Sequence, residues 1–398
     1  MIKIGDWEIE TKIKEPSLDY IVCTTKLDVL HTSIKELSIR PEWRNEIQDM
    51  EFLRATQGTI ALEGSDMKLE EIKILSEKSS PSTTDREKEA ENALNAYKFI
   101  EEWSYNNPGT EITETVIRQI HTEITRDLNY LSNEPGQYRN TVVTFGNPRK
   151  VSTLKDRFGV EVAMEQLARF INSKETSISD LSHSPTTKAI FTHYLLTLIH
   201  PFADGNGRVA RAVEALILHH YGKFDSFLFS VNAKSYYHKR KEYFRLLKET
   251  DESGNPEAFI VFATNCLHVS LNEIKKRILE KTTHLMIMDY AHQLRRKKTL
   301  LKRQVTLLDI MFRLRPMTVI EWNQNPSIMG IYNGLSDSTR ARDIRKLALI
   351  GFLKYEPPKP KGRGLLTGLI HDKLISVNWD ILKDITLRLD RVPRRPNI

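Results

Sequence analysis

The sequence predicts a mainly α protein with one small β-hairpin and a distinct basic module toward its C-terminal end. Three observations carry that expectation. Two long apolar runs, residues 189–199 and 212–221, flank a short polar loop and read as buried helices. Residues 136–151 alternate polar and apolar side chains about a Gly-Asn-Pro turn, the pattern of a hairpin. Charge is split along the chain: residues 291–398 hold 22 Lys and Arg against 9 Asp and Glu, while the first 290 hold 37 against 43, within a net charge of +7 over 398 residues. A basic module on an acidic body points to separate roles for the two.

Taken in order, residues 1–100 are expected to form a helical N-terminal lobe. It is interrupted at residues 76–89, where the Ser, Pro and charge content of SEKSSPSTTDREKE reads as a loop. A helix over 90–105 follows, then one over 113–128 in which Val116, Ile117, Ile120 and Ile124 recur at helical spacing. His121 falls among them and reads as a core or interhelical histidine, not a ligand. The hairpin comes next, a helix over 159–173 leads into the two apolar helices, and 258–280 closes a core domain spanning 101–280. Residues 281–303 read as a basic linker helix in which Arg295, Arg296, Lys297 and Lys298 can be a solvated face. Residues 304–380 then give three short helical units and two strands around KPKGRG, followed by a basic tail over 381–398.

The length suits two or three domains, each with ample core. Cys23 and Cys266 make no disulfide or metal spacing, so a reduced, cytoplasmic protein is expected. The start, MIKIGDWEIETKIKE, lacks an apolar signal core and no run of about 18 apolar residues occurs, so a soluble chain without a membrane partner is the expectation.

The chemistry is concentrated in HPFADGNGRVAR, residues 200–211. Pro201 pushes the residue before it out of the α region, which puts His200 at a helix end. Gly205 and Gly207 allow positive φ and close approach, so successive N–H groups can converge on an anion, with Asn206 between them. A helix starting near Gly207 would add its positive dipole end. Arg208 and Arg211, three apart, share a helix face and suit polyphosphate oxygens. Asp204 offers a hard oxygen of the kind Mg²⁺ takes beside phosphates. His200 is the general base of the segment. Together these describe phosphoryl or nucleotidyl transfer, and no Walker loop is present.

These residues carry a resemblance: 200–211 is similar to the Fic family signature HPFx[DE]GNGRxxR, with every specified position met. The resemblance implies a Fic-type helical core with a hairpin flap, and transfer of AMP from ATP to a Ser, Thr or Tyr hydroxyl of a protein. Carried onto this chain, His200 would deprotonate the target hydroxyl. Asp204 would hold Mg²⁺ between the α- and β-phosphates, and Asn206 with the Gly205 and Gly207 amides would hold α- and β-phosphate oxygens. Arg208 would meet the β-phosphate and Arg211 the γ-phosphate. Gly207 disfavours the Doc-like kinase branch, which has lysine there, whereas phosphocholine transfer and other nucleotides stay open.

TIALEG, residues 59–64, resembles the inhibitory motif [ST]xxxE[GN] of self-restrained Fic proteins whose inhibitory helix precedes the core. In that resemblance Glu63 would pair with Arg211 and occupy the guanidinium that the γ-phosphate needs, and the same glutamate can align water for AMP removal. The hairpin resembles the Fic flap, which pairs with the target's main chain, with Thr144, Phe145, Gly146 and Asn147 over the nucleotide. Tyr243 is assigned to adenine stacking by analogy, with a core tyrosine as the alternative. Self-modification and a homodimer stay open.

The order of elements after residue 304 resembles a winged helix-turn-helix, with 336–350 as recognition helix and 359–363 in the wing. Ser338, Thr339, Arg340, Arg342, Arg345 and Lys346 would then reach DNA; packing, dimerisation or substrate docking is the alternative use of such a module. Two functions follow: an autoinhibited adenylyltransferase, or a DNA-binding regulator that uses the Fic core as a sensor.

Overall fold

The computed structural model describes residues 2–5, 7–78, 82–128, 134–145, 150–151, 154–175, 177–314, 317–356, 374–379 and 381. They fall into two compact units, Met1–Lys275 and Lys276–Ile398. No described helix is long and apolar enough to cross a membrane.

The first unit is built around an antiparallel pair, α7 (Pro185–Ile199) and α8 (Asn206–His220), in which nearly every side chain is buried. For α7 its largely apolar surface explains this, whereas α8 also encloses Arg208, Arg211 and Glu214, which are paired with partners from the surrounding helices. Four elements enclose it: α4 (Asp85–Asn106), α5 (Glu114–Thr125) and α2 (Pro41–Leu62) pack on α8, and α6 (Arg157–Asn172) packs on α7. α5 buries Val116, Ile117, Ile120 and Ile124, the face its spacing predicted. α2 also crosses α9 (Asn232–His238) so closely that a Cβ on Gly58 would lie 2.6 Å from the main chain of Ala233 and Lys234. Residues 1–100 therefore do not form a lobe apart from the core: α2 and α4 are part of its wall.

Two local expectations change. The chain opens with an antiparallel hairpin, β1 (Ile2–Ile4) and β2 (Trp7–Ile9), in place of helix; its signal was the alternation in IKIGDWEI about Gly5, at φ 58°. The loop foreseen at 76–89 is shorter, because α3 (Leu69–Glu77) and α4 reach into it. Thr84 caps α4 by accepting the Glu87 N–H, and Glu87 reaches back to the Thr84 N–H, a capping box written as T-x-x-E. α1 (Leu18–Lys35), α10 (Arg240–Ser253) and the start of α11 (Glu257–Arg296) complete the unit.

The second unit begins within α11, which continues to Arg296 where a linker helix over 281–303 was expected. It contains α12 (Lys302–Arg313), β5 (Met317–Thr318), α13 (Val319–Gln324), α14 (Pro326–Ile331), α15 (Asp337–Ile350), β6 (Leu353–Glu356) and β7 (Leu374–Val377). The strands form an antiparallel sheet in the order β5-β7-β6. Its core gathers Leu307, Leu308, Trp322, Leu347, Phe352 and Ile375. Asp343, on the buried face of α15, accepts bonds from Arg303 Nε (2.6 Å), Gln304 Nε2 (2.6 Å) and the Tyr332 hydroxyl (3.2 Å). The wing residues 359–363 and the tail after 381 lie outside the described residues.

Candidate active site

The site is assembled from helix ends. α7 is capped by Ser184 at its start and ends at His200, whose φ of 49° and ψ of 60° are left-handed. That conformation costs a non-glycine residue about 1–2 kcal/mol, so something must hold it. Arg139 does: its Nε donates to the His200 carbonyl (2.7 Å), its Nη1 to Thr141 (2.7 Å) and Leu154 (2.9 Å), and its own N–H to Pro201 (3.0 Å). His200 Nδ1 faces the Thr197 carbonyl at 3.4 Å, which sets the proton on Nδ1 and the basic lone pair on Nε2. Burial pushes its pKa down to about 4, outweighing the Thr197 carbonyl, so the ring is neutral at neutral pH.

The loop between the two helices is braced from within. The Asn206 amide donates to the Phe202 carbonyl and accepts the Phe202 N–H, both at 2.9 Å. Gly205, at φ 77°, caps α8, and its N–H donates to Asp204 Oδ1 at 2.6 Å. His121 lies flat on the Phe202 ring, 3.8 Å between centroids. Its Nδ1 accepts the Gly136 N–H (2.9 Å), so the proton sits on Nε2, which donates to the Asp204 carbonyl (3.1 Å). Burial holds His121 down at about 4, keeping this tautomer neutral. His121 is thus a core histidine, as expected, that also ties the loop to the start of the hairpin.

Two expectations about this loop are refined. Gly205 has positive φ but Gly207 does not; Gly207 is helical, and what it provides is room. A Cβ there would meet Glu63 Oε1 at 2.5 Å. The Asn206 side chain is spent on Phe202, so what it turns toward an anion is the main chain of the first α8 turn.

Arg208 and Arg211 share a face but not an environment. Arg208 stands 3.6 Å from Glu89 and 3.9 Å from Asp204. Arg211 is enclosed by the C-terminal turn of α2: its Nε donates to Thr59 Oγ1 (2.8 Å), and its Nη2 to the Thr59 carbonyl (3.1 Å) and to Glu63 Oε1 (2.5 Å). Its side chain is 2% exposed, while that of Glu63, at the edge of the cleft, is 42% exposed. Burial pushes the Glu63 carboxyl up, but the Arg211 guanidinium, with Arg208 beside it, outweighs burial and holds it below the usual carboxylate range.

The hairpin is shorter than its alternation implied: β3 (Thr144–Phe145) pairs with β4 (Lys150–Val151), Thr144 opposite Val151. Gly146 and Asn147 lie outside the described residues. The stretch before β3 is anchored to the core instead of paired, through Gly136, Tyr138 and Arg139. Tyr243 is corrected to the core alternative. It is 1% exposed, stacks on Tyr236 at 4.9 Å and bonds His193 Nε2 through its hydroxyl at 2.8 Å, leaving no ring face for a base.

With this geometry in hand, comparison with known proteins is informative. Residues 111–218 match the model of the Fic/DOC family. Protein adenylyltransferase fic-1 of Caenorhabditis elegans is 28% identical over 183 residues, which cover 45% of this chain and 34% of that protein. Protein adenylyltransferase Fic of Drosophila persimilis is 28% identical over 167 residues, 41% of this chain and 28% of that one. The chain spans about a third of the length of these curated relatives. Among solved structures, a Fic family protein from Desulfovibrio desulfuricans G20 superposes with a TM-score of 0.54 at 18% identity, covering 88% of this chain and 100% of that one. Fic-1 of C. elegans gives 0.51 at 19% identity, covering 65% and 72%. These structures share the fold.

Sequence reading missed Arg139, Thr59 and the Glu214–His193 pair as parts of the site. Thr59 opens TIALEG and was legible as the motif's first position, though without a role. Arg139 and Glu214 gave no local signal, because a charged residue amid apolar neighbours announces burial only when its partners are known.

Proposed function

We infer that this chain is an autoinhibited protein adenylyltransferase, transferring AMP from ATP to a Ser, Thr or Tyr hydroxyl of a protein. The observation that carries this is the Glu63–Arg211 pair joined to a neutral His200 at the same cleft. In the reaction, His200 Nε2 takes the proton of the target hydroxyl as its oxygen attacks the α-phosphorus. The bond to the bridging oxygen breaks, and pyrophosphate leaves toward Arg208 and Arg211. The first-turn N–H groups of α8 receive phosphate oxygens. Asp204, with its side chain 48% exposed, fits one carboxylate contact to Mg²⁺; among the described residues no group of three acidic, His or Cys side chains gathers, which suits an ion shared with phosphates. Bound there, Mg²⁺ would neutralise phosphate charge. The target strand pairs with the hairpin edge at Thr144–Phe145. Glu63 holds the enzyme off by occupying Arg211, and can direct water in AMP removal.

The test is labelled ATP with Mg²⁺: Glu63→Gly should raise protein-bound AMP well above the parent, and His200→Ala should abolish it. Absence of label in Glu63→Gly would sink the reading, and mass spectrometry of the product identifies the acceptor, including self-modification.

A second reading, DNA binding by the second unit as a winged helix-turn-helix, is favoured by the order α12-β5-α13-α14-α15-β6-β7 and by exposed Ser338, Arg342 and Arg345 on α15. Arg340 is withdrawn from that set: it is buried, pairing with Asp337 and reaching Met329. Failure of the full chain to shift duplex DNA at low salt would remove this reading.

A further inference from the structure

α1 turns one face inward and leaves a second, apolar face uncovered. The inward face carries Tyr20, Cys23, Leu27, Leu30 and Ile34, all buried. On the outward side Leu18 and Val29 are 74% and 65% exposed, and Val22 between them is exposed as well. Together with Thr25 they recur at steps of four, three and four residues, the spacing of a seam between two paired helices. Single apolar residues on a surface are ordinary, whereas a seam held in register along a helix marks a contact. Val22, Thr25 and Val29 also form one wall of an open groove whose other wall, at His268 and Lys275, belongs to α11.

The charges beside the seam indicate what covers it. Asp19 and Lys26 each follow a seam position by one residue, so both stand on the same flank of the helix, and both are exposed. In an antiparallel pair of identical helices that flank faces its own counterpart, so Asp19 meets the partner's Lys26, and the same contact recurs with the copies exchanged. In the same register Leu18 faces the partner's Val29 and Val22 the partner's Thr25, so the seam is complementary to itself, as a two-fold contact requires. A parallel pair would instead set Lys26 against Ile21 and Asp28 against Ser33, with no opposite charges joined. The basic tail of the chain, with Arg388, Arg391, Arg394 and Arg395, is a poor occupant for a groove bordered by Lys26 and Lys275. We propose that this face of α1 is a homodimer contact, on which a second copy of the chain lays its own α1 antiparallel along the seam.

The test is sedimentation of the full chain over a concentration series. The parent should dimerise with a Kd in roughly the micromolar range, as suits a contact of modest size. Val22→Asp and Val29→Asp, each placing a carboxylate in the seam, should weaken the dimer by about tenfold or more. Asp19→Lys and Lys26→Asp should each weaken it roughly tenfold, because both flank pairs become repulsive. An equimolar mixture of these two charge variants should regain parental association, since every flank pair in the mixed dimer again joins opposite charges. Melting curves taken at dilution should coincide with the parent's, so that a lost dimer reports the contact and not the fold. A parent that stays monomeric at about 100 µM would overturn the proposal and leave the face to another protein or to solvent. So would a dimer that neither seam variant weakens, or a mixture that associates no better than its two components. None of these residues lies in the cleft, so the outcome is independent of the adenylyl-transfer reading.

Discussion

Gly58→Ala is the sharpest test of how α2 governs the cleft. The added methyl would sit 2.6 Å from Ala233 C and O and from Lys234 N, all main-chain atoms of α9, which cannot swing aside as a side-chain tip would. Ordinary contact begins near 3.4 Å, so the helices must part by about 0.8 Å. Overpacking of this kind costs about 1–3 kcal/mol, and the better helix propensity of alanine returns about 0.5–1 kcal/mol. The net is a loss between about 0 and 2.5 kcal/mol, centred near 1 kcal/mol, where the fall in Tm is roughly 2–4 °C. Thr59 follows directly and Glu63 lies little more than a turn on, so the same displacement stretches their bonds to Arg211, now 2.8 and 2.5 Å, toward the limit at which hydrogen bonds fail. Thermal melting and AMP labelling are therefore expected to change together, with lower Tm and more label. Gly330→Ala is the control, because a Cβ there meets nothing within 4 Å and should leave Tm level or slightly raised. A Gly58→Ala protein that melts like Gly330→Ala, with unchanged labelling, would refute the close crossing as the element that sets Glu63.

Acid should weaken the fold through its buried histidines. Burial brings His31, His121 and His200 down to about 4 from an ordinary 6.5. Below 6.5 the unfolded chain therefore binds protons that the folded chain does not, so stability is full above that pH, falls toward pH 4 and levels off beneath it. Melting curves should show that decline, and a Tm level from about pH 7 to about 4.5 would contradict the burial of these rings. Arg139→Ala should cost about 3–5 kcal/mol by leaving buried carbonyls without donors, with AMP labelling lost as the His200 turn relaxes. Arg139→Lys should rescue little, since one ammonium cannot span the carbonyls of Thr141, Leu154, Ile199 and His200; a lysine variant with parental Tm and activity would show that the clamp is not needed.

Much of the domain was legible because its signals are local. Apolar runs announced α7 and α8, spacing announced the buried face of α5, and Pro201 announced the break at His200. The N-terminal hairpin and the T-x-x-E cap at Thr84 were equally local and were obscured by surrounding helical and charged sequence. What could not be read were relations across the fold. Asn206 carries an amide suited to phosphate, yet only the folded loop shows that amide engaged with Phe202. Tyr243 was assigned to a ligand because aromatic residues near a nucleotide site suit stacking, and only packing shows both faces of its ring enclosed. Arg340 belongs to a basic helix by sequence, while Asp337 one turn earlier turns it inward.

Helix termini meet at the cleft, and their polarities explain why control would fall on Arg211 in the proposed autoinhibited enzyme. The N-terminal end of α8 carries partial positive charge and favours the phosphates, whereas the C-terminal end of α2 carries partial negative charge and favours a cation. Arg211 lies between them, already bonded to the Thr59 carbonyl of that C-terminal turn. Glu63 adds a full charge to what the α2 terminus begins, so on the proposed reading α2 and the nucleotide would compete for one guanidinium from opposite sides. The contest is close only because the Glu63 carboxylate remains partly solvated: a fully buried pair could not be broken at the cost of a bound phosphate, and a fully exposed one would be too weak to hold the site closed. On the proposed reading, helix polarity thus accounts for which arginine would be contested, and solvent exposure for why ATP would be able to win it.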